Sequence, residues 1–74
     1  MAILRRWARE AGCSVEDILG PSRDPFLVRT RHQAMHEVRK KTGASFPVIG
    51  RIFNRDHSSV IHAVKKVDAQ LRNG

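Results

Sequence analysis

Four consecutive residues, Asp56, His57, Ser58 and Ser59, bring together a carboxylate, an imidazole and two hydroxyl groups. Such groups accept hydrogen bonds, donate them and carry charge. They open a segment typical of an amphipathic helix, because its apolar residues recur at spacings of three and four. These residues are Val60, Ala63, Val64, Val67 and Leu71. The pattern predicts a helix whose apolar face packs on the body of the protein and whose polar first turn is free to bind a partner.

The residue types of this turn match a Ser-His-Asp triad, but their placement argues against catalysis. Consecutive residues on a helix point in different directions, so a nucleophile, its base and an orienting carboxylate cannot line up. A metal site is the other chemistry to consider, since His32 and His36 are spaced to share one helical face. The only obvious third ligand nearby is Glu37, which points elsewhere. We therefore expect a binding protein with no enzymatic activity, no bound metal and no cofactor.

The charge distribution favours a polyanionic partner. The chain of 74 residues carries 14 basic and 7 acidic residues, a formal net charge of +7. Residues 1–20 hold three of each sign, residues 21–44 hold six basic against two acidic, and residues 45–74 hold five against two. Nucleic acid is the first expectation and an anionic membrane the second. The alternative is a basic surface that serves only solubility.

Cysteine usage and hydropathy favour a cytoplasmic protein. The single cysteine, Cys13, cannot form an internal disulfide, which fits a reducing compartment, and we expect it to fill space in an apolar region. No apolar run approaches the length of a membrane span. Glu10, Glu16 and Asp17 interrupt any stretch that resembles a signal peptide.

Helical periodicity and helix-breaking residues divide the chain into five predicted helices, and no alternating strand pattern extends beyond a few residues. We predict an all-α small helical bundle that forms a single domain over residues 1–74. Apolar residues of the long third helix, Val28, Met35 and Val38, should face its core. The first predicted helix covers about residues 3–11 and ends at Gly12, and a short helix over 15–19 begins with a Ser14–Asp17 capping box. After a loop over 20–25, a long helix covers about residues 26–42 and ends at Gly43. A short helix over 46–53, capped by Ser45, is followed by a tight turn and by a last helix that is capped by Asp56 and extends to about 73.

The last two helices and their short connection have the proportions of a helix-turn-helix. In that motif the second helix enters the major groove of DNA, and its N-terminal residues touch the base edges. The polar face of the last helix carries hydroxyl, imidazole and ammonium groups that suit phosphates and base edges. Its residues are Ser58, Ser59, His62, Lys65, Lys66 and Ala69.

Each of these side chains also has a purely structural interpretation. Asp56 fits a helix cap as well as an acceptor for a cytosine amino group, and the two roles can coexist. His57 lies at the edge of the apolar stripe, so packing against the body and contact with a base are both open. The two serines are common first-turn residues, and Lys65 and Lys66 fit a solvated face.

Taken together, "RDHSSVIHAVKKV" resembles the signature of the C-terminal DNA-binding domain of the bacterial replication initiator DnaA. "SVEDILGPSR" is similar to the opening segment of that domain, and "VRTRHQAMHEVRKKTGASFPVIGRIF" is similar to its middle two helices. The resemblance covers nearly the whole chain in the same order. It implies an all-helical fold related to the Trp-repressor type of helix-turn-helix, which binds short asymmetric, AT-rich boxes of double-stranded DNA as a monomer.

The resemblance also implies roles for individual residues. Arg23 matches an arginine that enters the minor groove, while Asp56, His57 and Ser58 match the turn that contacts bases in the major groove. The expected phosphate contacts, which include neighbouring basic side chains, are Arg29, Arg31, His32, Ser45, Ser59, His62, Lys65 and Lys66.

Several departures from the family pattern bear on the sequence preference. Thr30 stands where the family usually has proline, and His32 where it usually has glutamine. Ser58 and Ser59 replace threonines, so a methyl group that could contact thymine is lost. The turn "FNRDH" is one residue shorter than usual, which could tilt the recognition helix.

The chain lacks the G-x-x-x-x-G-K-[ST] segment of an ATPase module. We therefore expect DNA binding that regulates replication initiation or transcription without ATP hydrolysis, in competition with full-length DnaA. The sequence fits both a stand-alone protein and an excised domain. The alternative function is a protein-interaction module that restrains the replication or transcription machinery by docking an acidic partner. RNA binding has less support, since the chain has only three Phe and one Trp to stack on bases.

Overall fold

The helices begin and end at residues whose side chains or backbone angles favour those positions. The computed structural model describes residues 2–73. It contains α1 (Ala2–Ala11), α2 (Val15–Leu19), α3 (Pro25–Thr42), α4 (Phe46–Phe53) and α5 (His57–Asn73). The predicted all-α bundle and its order of helices are thereby confirmed. Met1 and Gly74, the ends of the predicted domain, lie outside the described residues.

The predicted helix ends are formed by local hydrogen bonds. The Ser14 hydroxyl accepts from the Asp17 amide at 3.0 Å and the Asp17 carboxylate accepts from the Ser14 amide at 3.1 Å, which completes the capping box. Gly43 ends α3 with φ 67°, a left-handed conformation that glycine adopts without steric cost. One helix cap was not predicted. The Asp24 side chain accepts from the Phe26 amide at 2.9 Å and caps α3, which begins at Pro25.

The core lies where α5 packs against α3 and α4, with α1 and α2 closing the other side of α3. Most of the predicted apolar faces are buried, but the prediction was wrong at the end of the last stripe. Leu71 is 65% exposed, because it lies beyond Val67 at the rim of a groove lined largely by polar side chains of α3. Val28 is only half-buried. The buried apolar residues are Leu4, Ala8, Ile18, Ala34, Met35, Val38, Ile49, Phe53, Val60, Ala63, Val64 and Val67.

The connection between α4 and α5 turns within three residues. Asn54 takes a left-handed conformation at φ 54° and ψ 48°, which asparagine tolerates better than most residues. The Arg55 amide then donates to the Gly50 carbonyl at 2.7 Å. A Cβ atom at Gly50 would lie 2.5 Å from the Arg55 carbonyl oxygen, so only glycine permits this approach of the turn to α4. The short turn therefore depends on Asn54, which adopts the left-handed conformation, and on Gly50, which lets the turn approach α4.

Polar contacts fix the outer faces of the bundle. His36 on α3 is buried, and its Nε2 atom lies 2.6 Å from Oδ1 of Asp68 on α5. Arg6 on α1 forms an ion pair with Glu37 on α3. Across residues 2–73, every helix is too short or too polar to cross a membrane.

Candidate nucleic-acid interface

The polar face of α5 is exposed along its length, as predicted. Val60 and Val64 are buried against the body of the protein, and the opposite side chains are left in solvent. The exposed set is Ser58, Ser59, His62, Lys65, Lys66 and Ala69. This arrangement presents hydroxyl, imidazole and ammonium groups on one continuous helical surface.

The first turn of α5 is exposed and begins with a cap. One carboxylate oxygen of Asp56 accepts from the Ser58 amide at 3.1 Å, and its other oxygen lies 3.7 Å from Nδ1 of His57. The predicted cap is thus confirmed, and the Asp56 side chain is still 68% exposed, so its remaining acceptor capacity faces solvent. The His57 side chain is 57% exposed, so the alternative that it packs against the body was wrong.

Arg23 lies in the exposed loop between α2 and α3, beside the turn of the helix-turn-helix. A cleft of about 500 Å³ connects the two segments. Its walls are formed by the loop on one side and by Asn54 and Arg55 on the other, with Arg31 between them. The loop expected to enter the minor groove and the turn that leads into α5 therefore open onto one cleft.

A second groove, of about 240 Å³, runs between α3 and α5. Arg29 and His32 contribute from α3, and Lys66 contributes from α5, so three predicted phosphate contacts lie together. Burial, together with the charges of Lys66 and Arg31, lowers the pKa of His32. At neutral pH the imidazole is therefore uncharged and offers a phosphate an N–H donor.

Ser45 lines neither cleft. Its exposed hydroxyl caps α4 by accepting from the Val48 amide at 3.4 Å, as predicted for a helix cap. Its expected phosphate contact stays a prediction.

Arg31, another expected phosphate contact, is only 5% exposed and serves the fold. Its Nε donates to the Ile18 carbonyl at 2.6 Å. Its Nη2 donates to the carbonyls of Gly20 at 3.0 Å and Ser22 at 3.2 Å. Burial and the nearby charge of Arg55 lower the pKa of the Arg31 guanidinium. Contact with DNA at this position stays a prediction, and any such contact has to share the guanidinium with these carbonyls.

Arg55 was not among the predicted site residues. Its guanidinium donates to four carbonyls. Those of Leu19 and Gly20 lie at the end of α2, that of Phe53 ends α4, and that of Asn54 lies in the turn. In the sequence, the position of this basic residue directly before Asp56 was the one indication of a role at the site. Nothing there indicated that its guanidinium would donate to the Gly20 carbonyl, 35 residues away.

The side chains considered for metal binding and covalent chemistry have other surroundings. His36 is paired with Asp68 rather than with His32. No group of three potential metal ligands occurs within residues 2–73. Burial raises the pKa of the half-buried Cys13 thiol, which favours the protonated, unreactive form.

Known proteins are similar to this chain over most of its length. The chain is 39% identical over 69 residues to the chromosomal replication initiator protein DnaA of Deinococcus radiodurans, and this covers 93% of the chain and 15% of the relative. It is 40% identical over 68 residues to the DnaA of Thermus thermophilus, covering 90% of the chain and 16% of the relative. A DnaA 1 protein of Chlamydia muridarum is 39% identical over 69 residues, with 93% and 15% covered.

The chain therefore spans about one sixth of the length of these relatives. Its residues 1–67 match the bacterial dnaA protein helix-turn-helix family, and the match includes residues 57–67 of the predicted recognition helix. With five helices, an exposed polar first turn on α5 and a family match over most of its length, the chain is a DNA-binding helix-turn-helix domain that belongs to the bacterial dnaA protein helix-turn-helix family.

Proposed function

We propose that this protein binds short asymmetric sites of the DnaA-box type in double-stranded DNA, as one unit spanning residues 1–74. The first turn of α5 contacts bases in the major groove, and Arg23 contacts the minor groove. The observation that carries the proposal is the common cleft between the Arg23 loop and the turn before Asp56. A protein that contacts both grooves of one short site needs its two contact elements close together. The cleft supports this arrangement, because it adjoins the Arg23 loop and the turn directly before the first turn of α5.

The exposed groups of the first turn suit base edges. The carboxylate of Asp56 is a hydrogen-bond acceptor for a cytosine amino group, and the hydroxyl of Ser58 is able to donate and accept. The imidazole of His57 is more than half exposed, so it reaches a groove without any rearrangement of the core. Arg23 is exposed in a loop, as expected for a side chain inserted into a narrow minor groove.

The proposed phosphate contacts lie mainly on α5 and on the neighbouring face of α3. On α5 they are Ser59, His62, Lys65 and Lys66, all of which are exposed. Arg29 and His32 extend this surface across the groove between α3 and α5. These side chains fix the orientation of the domain on the duplex and add affinity without direct sequence information. Ser45 at the start of α4 and the remaining N–H donor capacity of Arg31 complete the proposed set.

The biological role that follows is regulation of replication initiation or transcription, by occupying boxes in competition with full-length DnaA. The sequence offers no phosphate-binding glycine loop, so the proposed activity requires neither ATP nor a metal ion. A domain of this kind acts as a monomer on one asymmetric box, inside the cytoplasm where the chromosome lies.

A mobility-shift assay with three labelled probes tests the proposal. The probes are a duplex that contains a DnaA-type box, a duplex of the same composition with the box scrambled, and one strand of the first. We expect the box duplex to bind about a thousandfold more tightly than the scrambled one, the lower end of typical specificity ratios. Equal binding of both duplexes would contradict sequence recognition, and no binding of either would favour the acidic-protein partner instead.

The same assay at two salt concentrations tests the phosphate contacts. If about six phosphates are neutralised, the affinity falls about a thousandfold between 50 and 200 mM salt. A flat salt response would contradict the proposed contacts on α3 and α5 even if a duplex is bound.

A further inference from the structure

We infer that Arg55 is a positioning residue that fixes the spacing between the Arg23 loop and the first turn of α5. This inference rests on the proposed function, because it concerns the two segments that are proposed to contact opposite grooves of one DNA site. Arg55 itself needs no contact with DNA for this role.

The hydrogen bonds of Arg55 connect two segments that are far apart in the chain. Its Nη2 donates to the Gly20 carbonyl at 2.5 Å, and its Nη1 donates to the Leu19 carbonyl at 3.3 Å. The same Nη1 donates to the carbonyls of Phe53 at 3.0 Å and Asn54 at 3.1 Å. One planar group is thus bonded both to the end of α2 and to the turn that directs α5.

The carbonyl of Gly20 is shared with a second arginine. The Nη2 atom of Arg31 donates to it at 3.0 Å and to the Ser22 carbonyl at 3.2 Å. Ser22 directly precedes Arg23. The backbone that carries the minor-groove arginine is therefore attached through Gly20 to the residue that precedes Asp56.

The identity of the acceptors decides what these bonds control. All of them are backbone carbonyls, so the bonds fix the path of the chain rather than the rotamer of another side chain. A guanidinium offers five N–H donors in a rigid planar fork, whereas a lysine ammonium is a single compact charge on a flexible stem. Lysine at position 55 would keep the charge and lose the simultaneous contacts.

The rest of the recognition helix is held independently of Arg55. Val60 is fully buried, Val64 is nearly so, and Asp68 is bonded to His36. Loss of the fork therefore leaves α5 packed. The loop at residues 20–24 keeps its bonds to Arg31 but loses its attachment to the turn before α5, so it is held less firmly relative to that helix. The exposed phosphate-contact side chains on α5 stay where they are.

This arrangement predicts a selective effect on specificity. A loosened loop no longer presents Arg23 at a fixed distance from Asp56 and His57, so a box in which both grooves are contacted loses affinity. A scrambled duplex, which is bound through phosphates, does not. The contribution of Arg23 to the box should also depend on Arg55.

The test compares Arg55→Lys with the matched control Arg51→Lys, an exposed arginine on α4. The first measurement uses the free protein, in which Arg55→Lys should change the NMR amide shifts of residues 20–24 and leave those of residues 60–67 unchanged.

The second measurement compares binding to the DnaA-type box duplex and to the scrambled duplex at two salt concentrations. We expect Arg55→Lys to lower the box-to-scrambled affinity ratio about tenfold, with the scrambled affinity and the salt slope unchanged. Arg23→Ala should cost less specificity in the Arg55→Lys background than in the wild type.

All measurements are made where circular dichroism shows each variant folded, and a variant that folds at no temperature would overturn the inference and make Arg55 a stability residue. An unchanged ratio, or equal weakening of both duplexes with a shallower salt slope, would also overturn it, the latter by making Arg55 a phosphate contact. Unchanged amide shifts at residues 20–24 would overturn it whatever the DNA result. A wild-type protein that binds both duplexes equally would instead contradict the proposed function, so the two failures are distinguishable.

Discussion

The Nε2 atom of His36 lies 2.6 Å from Oδ1 of Asp68, and this contact joins the middle of α3 to the C-terminal half of α5. The histidine is buried and the carboxylate is partly exposed, so the pair seals one edge of the interface that supports the recognition helix. The hydrogen bond from His36 is the main cause of the lowered pKa of Asp68.

Asp68→Asn should therefore lower the melting temperature by a few degrees at pH 7, because the amide lacks the charge that the imidazole N–H prefers. A carboxylate with a lowered pKa adds stability above its unfolded pKa of about 3.9 and loses it as the pH falls through the folded value. The difference in melting temperature between wild type and variant should shrink below about pH 4. Gln70→Ala, on the exposed face of α5, is the control and should show no such pH dependence.

Gly50→Ala should strongly destabilise the fold, since its Cβ would lie 2.5 Å from the Arg55 carbonyl oxygen. Overpacking of this kind costs about 1–3 kcal/mol, and here the neighbour is backbone that cannot turn away. Gly43→Ala is the contrasting variant, because nothing lies within 4 Å of its Cβ and only the left-handed backbone opposes the substitution, at about 1 kcal/mol. Urea unfolding of both variants should show a larger loss of stability for Gly50→Ala than for Gly43→Ala. A Gly50→Ala protein as stable as wild type would contradict the described turn.

Lys66→Ala should weaken binding to the box and scrambled duplexes by the same factor. The Lys66 side chain is exposed and lies beside His32 and Arg29. A contact between this side chain and a phosphate would not depend directly on the base sequence. The salt slope should also fall by about 1. Lys40→Ala removes an equal charge from an exposed position beside Trp7 rather than from the proposed interface. A larger effect of Lys40→Ala than of Lys66→Ala on both duplexes would place the DNA surface elsewhere.

His57→Ala should weaken the box duplex selectively, by about 1–3 kcal/mol, if the imidazole contacts a base edge. The side chain is 57% exposed, so the melting temperature should stay within about a degree of wild type. Competition between the box and scrambled duplexes, measured beside thermal melts, separates the two effects. A stable variant with an unchanged ratio would remove His57 from the proposed base contacts.

His32 should give opposite pH trends in the free and the bound protein. Its pKa is lowered, so the unfolded chain binds a proton more readily, and the stability supported by the neutral imidazole falls as the pH drops below about 6.5. A phosphate beside the ring raises that pKa, so DNA affinity should rise over the same interval. His32→Gln should flatten both trends, as checked by melting and binding at pH 7.5 and 5.5. A parallel change in stability and affinity that survives the substitution would contradict this role.

The sequence was most informative where a residue acts on its immediate neighbours. The features that were predicted depend on spacings of a few residues: the Ser14–Asp17 box, the end of α3 at Gly43, the Ser45 cap of α4 and the polar face of α5. The Asp24 cap at the start of α3 was missed. Leu71 was misplaced, because periodicity continues to the end of a helix whether or not the body extends that far.

The contacts made by arginine and histidine across the bundle could not be predicted in the same way. His36 and Asp68 are separated by 32 residues, and Arg55 and Gly20 by 35. A carbonyl acceptor has no side-chain signature, because every residue has one. Arg31 was therefore expected only to contact a phosphate, and nothing in the sequence indicated that its guanidinium is bonded to three carbonyls of the fold.

The carbonyl partners of Arg31 and Arg55 also bear on how fast the domain meets DNA. Carbonyl oxygens are neutral, and within residues 2–73 neither guanidinium is in an ion pair with a carboxylate. Both positive charges therefore persist in the cleft beside Arg23 and contribute to a long-range attractive potential before any contact forms. Such a potential accelerates diffusional encounter with a polyanion and weakens as counterions screen it. Arg31 and Arg55 thus contribute both to the path of the backbone and to an association rate constant that falls as ionic strength rises.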